Sequence, residues 1–153
     1  MVRPEKKNAL NIAMYEALTA AFAEGERDSD VRVRVILGSE GIFTAGNDIT
    51  DFHNASTKGV ETMTSALEFL RKLVFSEKPL IAAVDGLAIG IGTTLLFHCD
   101  LAYATHESAF VAPFVDLGLV PEAGSSLLAV QRMGYASAFA LLVAGKPLTA
   151  EAA

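Results

Sequence analysis

Apolar positions recur at helical spacing in two stretches of the chain and alternate with charged ones in a third. In "NALNIAMYEALTAAFAEGERD", Leu10, Met14, Leu18 and Phe22 form one stripe while Glu16, Glu24 and Glu26 lie off it. That pattern predicts an amphipathic helix beginning near Asn8 or Asn11. "TKGVETMTSALEFLRKLVFSE" sets Met63, Leu67, Leu70 and Val74 on one face, so a second helix is expected. "VRVRVILGS" alternates Val31, Val33 and Val35 with Arg32 and Arg34 and then turns fully apolar, as a strand entering a core does. "KPLIAAVDG" reads as a short buried strand between Pro79 and Gly86, and "IGIGTTLLFHC" as a loop opening a buried helix. "DLAYATH" and "SAFVAPF" read as two short strands split by His106, Glu107 and Ser108. "PEAGSSLLAVQRMG" has Pro121 at a helix start and Gly134 as its stop. "YASAFALLVAG" is a further short helix ending at Gly145, and "TAEAA" looks like the first turn of another. No internal repeat, linker or low-complexity tract interrupts this order. Strands alternating with helices place the chain in the α/β class.

Composition narrows the class. A chain of 153 residues suits one domain and can bury a real core. The hydrophobic fraction is 52% and the mean hydropathy +0.39, much of it alanine and glycine, with 20% charged residues. Disorder is therefore excluded. A formal net charge of −6 argues against a nucleic-acid surface and against docking on acidic lipid. An anionic small molecule stays compatible, because Arg3, Lys6 and Lys7 cluster; the same cluster also reads as a solvated basic stretch before a helix. The single cysteine, Cys99, is expected to be a buried small hydrophobe in a reducing compartment. The polar, charged N-terminus has no signal-peptide pattern, and "GLAIGIGTTLLF" is too short to span a membrane. A cytoplasmic location without membrane contact is the expectation.

Three glycine-bearing turns join a strand or apolar segment to a helix: "FTAGNDI", "DGLAIGIGTT" and "GLVPEAG". Small residues let a ligand oxygen approach bare backbone N–H groups closely. Two such groups converging on one oxygen would make an oxyanion hole, although each turn by itself also reads as plain turn chemistry. Other mechanisms fit less well. "GIGTTL" lacks the third glycine of a dinucleotide fingerprint, and no GxxxxGK[ST] is present. His53, His98 and His106 have no metal-ligand spacing, so no metal is expected. "GSSLL" is not a GxSxG elbow.

Taken in order, "RPEKKNALN", "FTAGNDITDF", "PLIAAVDGLAIGIGTTLLFHCDLAYA" and "FVDLGLVPEAGSSLL" resemble the crotonase (enoyl-CoA hydratase/isomerase) superfamily over nearly the whole chain. The likeness is nearest to the peroxisomal-type isomerases that convert 3-enoyl-CoA to 2-enoyl-CoA. The resemblance implies a spiral of ββα units, with residues 1–153 forming a crotonase-like core domain that lacks most of the first strand and the C-terminal helical region. It implies an acyl-CoA thioester as ligand, with no separate cofactor, and a homo-oligomer, usually a trimer or hexamer. Matched residue by residue, the two main-chain donors to the thioester oxygen fall on Asn47 and Ile91. Ala45 and the segment Asp48, Ile49 and Thr50 match the stretch along the CoA adenine and pantetheine. Lys7 matches a basic position near the CoA phosphates.

The same matching bears on the reaction. Typical hydratases of the family use two carboxylates, at positions that are Thr94 and Phe114 here, and neither side chain can move a proton. Glu122 of "VPEAG" matches the catalytic glutamate of the peroxisomal-type isomerases. An isomerase needs one base, and the local residues Phe114, Leu119, Val120 and Pro121 are expected to form an apolar surround that raises its pKa. Asp116 fits a turn or cap better than a base. Glutamate after proline at a helix start is also ordinary dipole chemistry, so that reading stands beside the catalytic one. Two further functions stay open: a non-catalytic acyl-CoA-binding or assembly protein, and another crotonase-type reaction such as weak hydration.

Overall fold

The computed structural model describes residues 1–51 and 64–153; the expected helix position Met63 and the histidine His53 lie outside the described residues. Helix α1 spans Ile12–Arg27. Three ββα passages follow. The first holds β1 (Arg34–Leu37), β2 (Ile42–Thr44) and helix α2 (Thr64–Val74). The second holds β3 (Leu80–Val84), β4 (Leu87–Ile89) and α3 (Ile91–Thr94), which runs on into a 3-10 turn at Leu95–His98. The third holds β5 (Leu101–Ala104), β6 (Ala109–Val111) and α4 (Ser125–Leu142), and β7 (Leu148–Thr149) ends the order.

Odd strands pair in parallel as β1-β3-β5, and even strands as β2-β4-β6, with β7 antiparallel to β6. Each passage thus gives one strand to each sheet, which makes the expected spiral. Asp85 ties the corners of successive passages together: Gly41 donates its amide to Oδ2 at 2.8 Å and Thr105 its hydroxyl to Oδ1 at 2.9 Å. These bonds, the Gly41 amide foremost, hold the Asp85 carboxyl below the usual range.

Helix α1 starts where the Asn11 side chain accepts the Met14 amide at 2.9 Å. Its buried face carries Tyr15 and Phe22, with Met14 and Leu18 half-buried. Both rings pack on Phe69 of α2, at centroid distances of 5.8 and 5.6 Å. Such a pair is worth about 0.5–1.5 kcal/mol beyond its burial. The stripe expected on α2 is rotated: Phe69 and Leu73 are buried, while Leu67 and Val74 face solvent.

The phase of β1 is also opposite to the alternation expected of it. Arg34 and Ile36 point inward, whereas Val33, Val35 and Leu37 are exposed. The inward arginine is tolerated because it is paired. Its guanidinium lies 2.7 Å from Glu26, donates to the Lys78 carbonyl at 3.0 Å and to the Ser76 hydroxyl, and covers the Phe22 ring at 4.8 Å.

The remaining elements follow the glycines. Helix α4 breaks at Gly134 (φ 77°, ψ 165°), which gives the two expected helices, and the chain leaves the second through Gly145 at φ 62°. "TAEAA" forms a turn in which Thr149 O accepts from the Ala152 and Ala153 amides. Cys99 is buried as expected, and burial pushes its thiol up to about 12. No helix among the described residues is long and apolar enough to cross a membrane.

Candidate active site

Three adjacent parallel strands, β2, β4 and β6, end on one side of their sheet. The segments that leave them carry Asn47, Ile91 and Glu122 respectively. The carboxyl ends of parallel strands are where open α/β sheets bind ligands.

The first segment is zipped to residues 7–10. Ala45 donates its amide to Lys7 O at 2.9 Å, Leu10 to Gly46 O at 2.7 Å, and Asp48 to Leu10 O at 2.9 Å. The Gly46 amide goes to the buried Thr44 hydroxyl at 3.1 Å. Amides in an extended chain alternate in direction, so the zipper that engages Asp48 turns the Asn47 N–H the other way. Among the described residues, that N–H has no acceptor. Asn8, fully buried at φ 54°, braces the strand end by donating its amide to Ser39 Oγ, Ile42 O and Phe43 O.

The second turn is built the same way. Gly90 donates to Val111 O at 2.8 Å, while Thr93 and Thr94 donate back to Gly90 O. The Ile91 amide between them is left without an acceptor among the described residues. Glycine is required where the two turns meet. A Cβ on Gly46, which sits at φ 89°, would come 2.8 Å from Ile89 O, and one on Gly92 would come 2.5 Å from Thr44 Cγ2. The loop of Asn47 and the turn of Ile91 are therefore in direct contact.

Glu122 stands on a turn, not in a helix. Helix α4 starts only at Ser125, after Ala123 and Gly124, both in the left-handed region at φ 55° and 65°. Glu122 is therefore not a helix-start residue and its side chain caps no helix amide, and a taut loop presents the acid instead. Ser125 holds the Glu122 carbonyl through Oγ at 2.6 Å and through its amide at 3.0 Å. His98 Nε2 donates to the Ala123 carbonyl at 2.7 Å. The carboxylate is half-buried and accepts the Thr94 hydroxyl at 2.5 Å. Burial pushes its pKa up, and the Thr94 bond draws it part of the way back.

The raised pKa agrees with the sequence expectation, but the wall is different. Val120 is 82% exposed, Leu119 is also exposed, and Phe114 packs in a separate cluster with Ala129, Ala138, Leu141 and Leu142. Among the described residues, Thr94 is the group bonded to the carboxyl. Tyr15 is buried, its phenol donates to Asn47 Oδ1, and burial together with the charge on Glu122 raises its pKa. Tyr15 thus holds the Asn47 side chain and feels the Glu122 charge, a placement that no local sequence signal announced. Asp116, the rival acid, is exposed on the turn of residues 114–118, where the Gly118 amide bonds Val115 O.

The residues matched to the CoA side divide. Lys7, Ile49 and Thr50 are exposed, and Ala45 is half-buried. The Asp48 carboxylate is already engaged: Arg3 Nη1 lies 2.7 Å away, and the Thr50 amide donates to it at 2.9 Å. The Arg3 bond, followed by that of Thr50, holds its pKa low. Of the basic cluster, Arg3 is thus committed to the protein, while Lys6 and Lys7 face solvent.

Relatives with known names match nearly the whole chain. The chain is 38% identical to enoyl-CoA delta isomerase 2 of Rattus norvegicus, across 99% of this chain and 39% of that protein. It is 33% identical to 1,2-epoxyphenylacetyl-CoA isomerase of Escherichia coli, across 99% of this chain and 60% of that one. The chain thus spans from about two fifths to three fifths of the length of these curated relatives. Among solved structures, an enoyl-CoA hydratase/isomerase from Pseudoalteromonas atlantica superposes with a TM-score of 0.89 at 43% identity, covering 97% of this chain and 58% of that one. The family model described as enoyl-CoA hydratase/isomerase matches residues 1–153, and the chain belongs to that family, the crotonase superfamily.

Proposed function

We propose that this chain carries the reaction centre of an enzyme that isomerises 3-enoyl-CoA to 2-enoyl-CoA with Glu122 as its one base. The observation that carries the reading is the state of that carboxylate. It is half-buried, raised in pKa and held, among the described residues, by the Thr94 hydroxyl of the helix that Ile91 opens, and the Asn47 and Ile91 amides have no acceptor among those residues.

The thioester carbonyl accepts from those two amides, which draws electrons away from C2. Glu122 then takes the C2 proton. The C–H bond breaks, its electron pair enters a dienolate whose negative oxygen the amides stabilise, and the acid carries the proton. The acid returns it to C4 as the double bond moves into conjugation. One donor of this kind is worth about a hundredfold or more in rate. A base of raised pKa suits the task, since proton transfer is most efficient when the pKa lies near the working pH.

Hydration would need a second group to activate water, and the two matched positions hold Thr94 and the buried Phe114. The exposed Lys7, Ile49 and Thr50, together with Ala45 and the backbone of Asp48, are where the CoA moiety would lie. Isomerisation of a 3-enoyl-CoA by the protein and by Glu122→Gln tests the reading. A drop of at least about a hundredfold is expected, and undiminished turnover of the variant rules Glu122 out.

A further inference from the structure

We infer that Thr94 is a positioning residue that holds one oxygen of Glu122 and leaves the other as the oxygen that exchanges a proton with substrate. The inference rests on the reading of Glu122 as the base. Its geometry is independent of that reading.

Thr94 is fully buried in the four-residue helix α3, and its β-branched side chain has few rotamers to choose from. Its hydroxyl carries one proton and faces two acceptors: Glu122 Oε1 at 2.5 Å and Ile91 O at 3.5 Å. The shorter contact takes the proton. Glu122 Oε2 has no hydrogen-bond partner among the described residues, so the two carboxylate oxygens are not equivalent. Once Oε2 holds the proton taken from C2, Oε1 is still an acceptor and the Thr94 bond persists. The hydroxyl can therefore hold the side chain in one rotamer through both halves of the proton shuttle.

Thr94 also lies one turn after Ile91, so the base is anchored to the element that carries the second amide donor. Two nearby polar side chains have their bonds elsewhere and do not substitute for this one. Tyr15, from α1, spends its proton on Asn47. His98, from the 3-10 turn, bonds the neighbouring Ala123 carbonyl rather than the carboxylate. By the sequence resemblance, Thr94 matches a position that is a carboxylate in typical hydratases. A second acid there would repel Glu122, whereas the hydroxyl gives it a donor.

The test compares Thr94→Val with Thr94→Ser in the whole protein. The Glu122 carboxyl is followed by carbon-13 NMR through a pH titration, with its signal assigned by its loss in Glu122→Gln, and isomerisation kinetics are measured alongside. Thr94→Val is expected to move the Glu122 midpoint up by about one unit. It should lower kcat about tenfold with KM within about twofold, and Thr94→Ser should restore most of both effects. An unmoved midpoint in Thr94→Val, or equal losses in the valine and serine variants, overturns the inference. Full activity in Glu122→Gln would instead sink the base assignment, and the titration would still report on the Thr94 bond.

Discussion

Asp48 and Glu122 are two acids of one candidate site, and the protein treats them in opposite ways. Asp48 receives an arginine and a backbone amide, and its pKa is held low. Glu122 receives one hydroxyl and partial burial, and its pKa is pushed up. A carboxylate supplied with charge and donors is a structural anion. One deprived of them is kept ready to take a proton. The difference separates the acid that braces the Asn47 loop from the acid proposed as the base. Both lie in motifs that the family resemblance picks out.

Turnover should show the contrast most strongly. Glu122→Gln is expected to lose at least about a hundredfold in isomerisation. Asp48→Asn should stay within about fivefold, the worth of a partly exposed ion pair. Comparable losses in the two variants would erase the distinction. The pH profile sharpens it. A base must be ionised, so kcat/KM should fall on the acid side with a midpoint above 4.5, the ordinary glutamate value. A midpoint at or below that value would contradict the burial argument.

Stability should diverge with opposite signs. The folded-state pKa of Asp48 is lowered, so its contribution is present above the unfolded value of 3.8 and is lost as pH falls through the folded pKa. Asp48→Asn is expected to cost about 1 kcal/mol at pH 7, a deficit that disappears in strong acid. Glu122 has a raised folded-state pKa, so its ionisation penalty is absent below 4.5 and grows as pH rises toward the folded pKa. Glu122→Gln should therefore melt higher than the parent at neutral pH and alike near pH 4. Thermal melts at both pH values read the two signs, and a neutral-pH loss of Tm in Glu122→Gln would count against the account. Tyr15→Phe is the mildest change. Freeing the Asn47 side chain should cost about 0.5 kcal/mol of stability, measurable by urea unfolding, and no change would mean that the phenol bond is idle.

The backbone of the site was legible in the sequence because glycine carries steric information locally. The turns at Gly46, Gly90 and Gly92 mark where two chain segments touch, and small residues announced them. The contacts that distinguish the two acids were not legible, because each joins residues far apart in the chain. Thr94 meets Glu122 across 28 positions and Tyr15 meets Asn47 across 32. Arg34 misled the strand reading for a related reason: its partners Glu26, Ser76 and Lys78 come from elsewhere and let a charge face inward. β4 and β7, of three and two residues, are too short for alternation to show, and "DGLAIGIGTT" read as a glycine-bearing turn. For Asp48 a local signal did exist. Its bond to the Thr50 amide two residues on is an Asx turn, which the spacing of "NDIT" permits.

Label transfer tests the central claim most directly. A 3-enoyl-CoA carrying deuterium at C2 should yield 2-enoyl product with part of that deuterium at C4, because one carboxyl carries it between the two carbons. A Glu122→Gln variant that still formed product at full rate with the same deuterium at C4 would mean that another group carries the proton, and the single-glutamate account would be wrong.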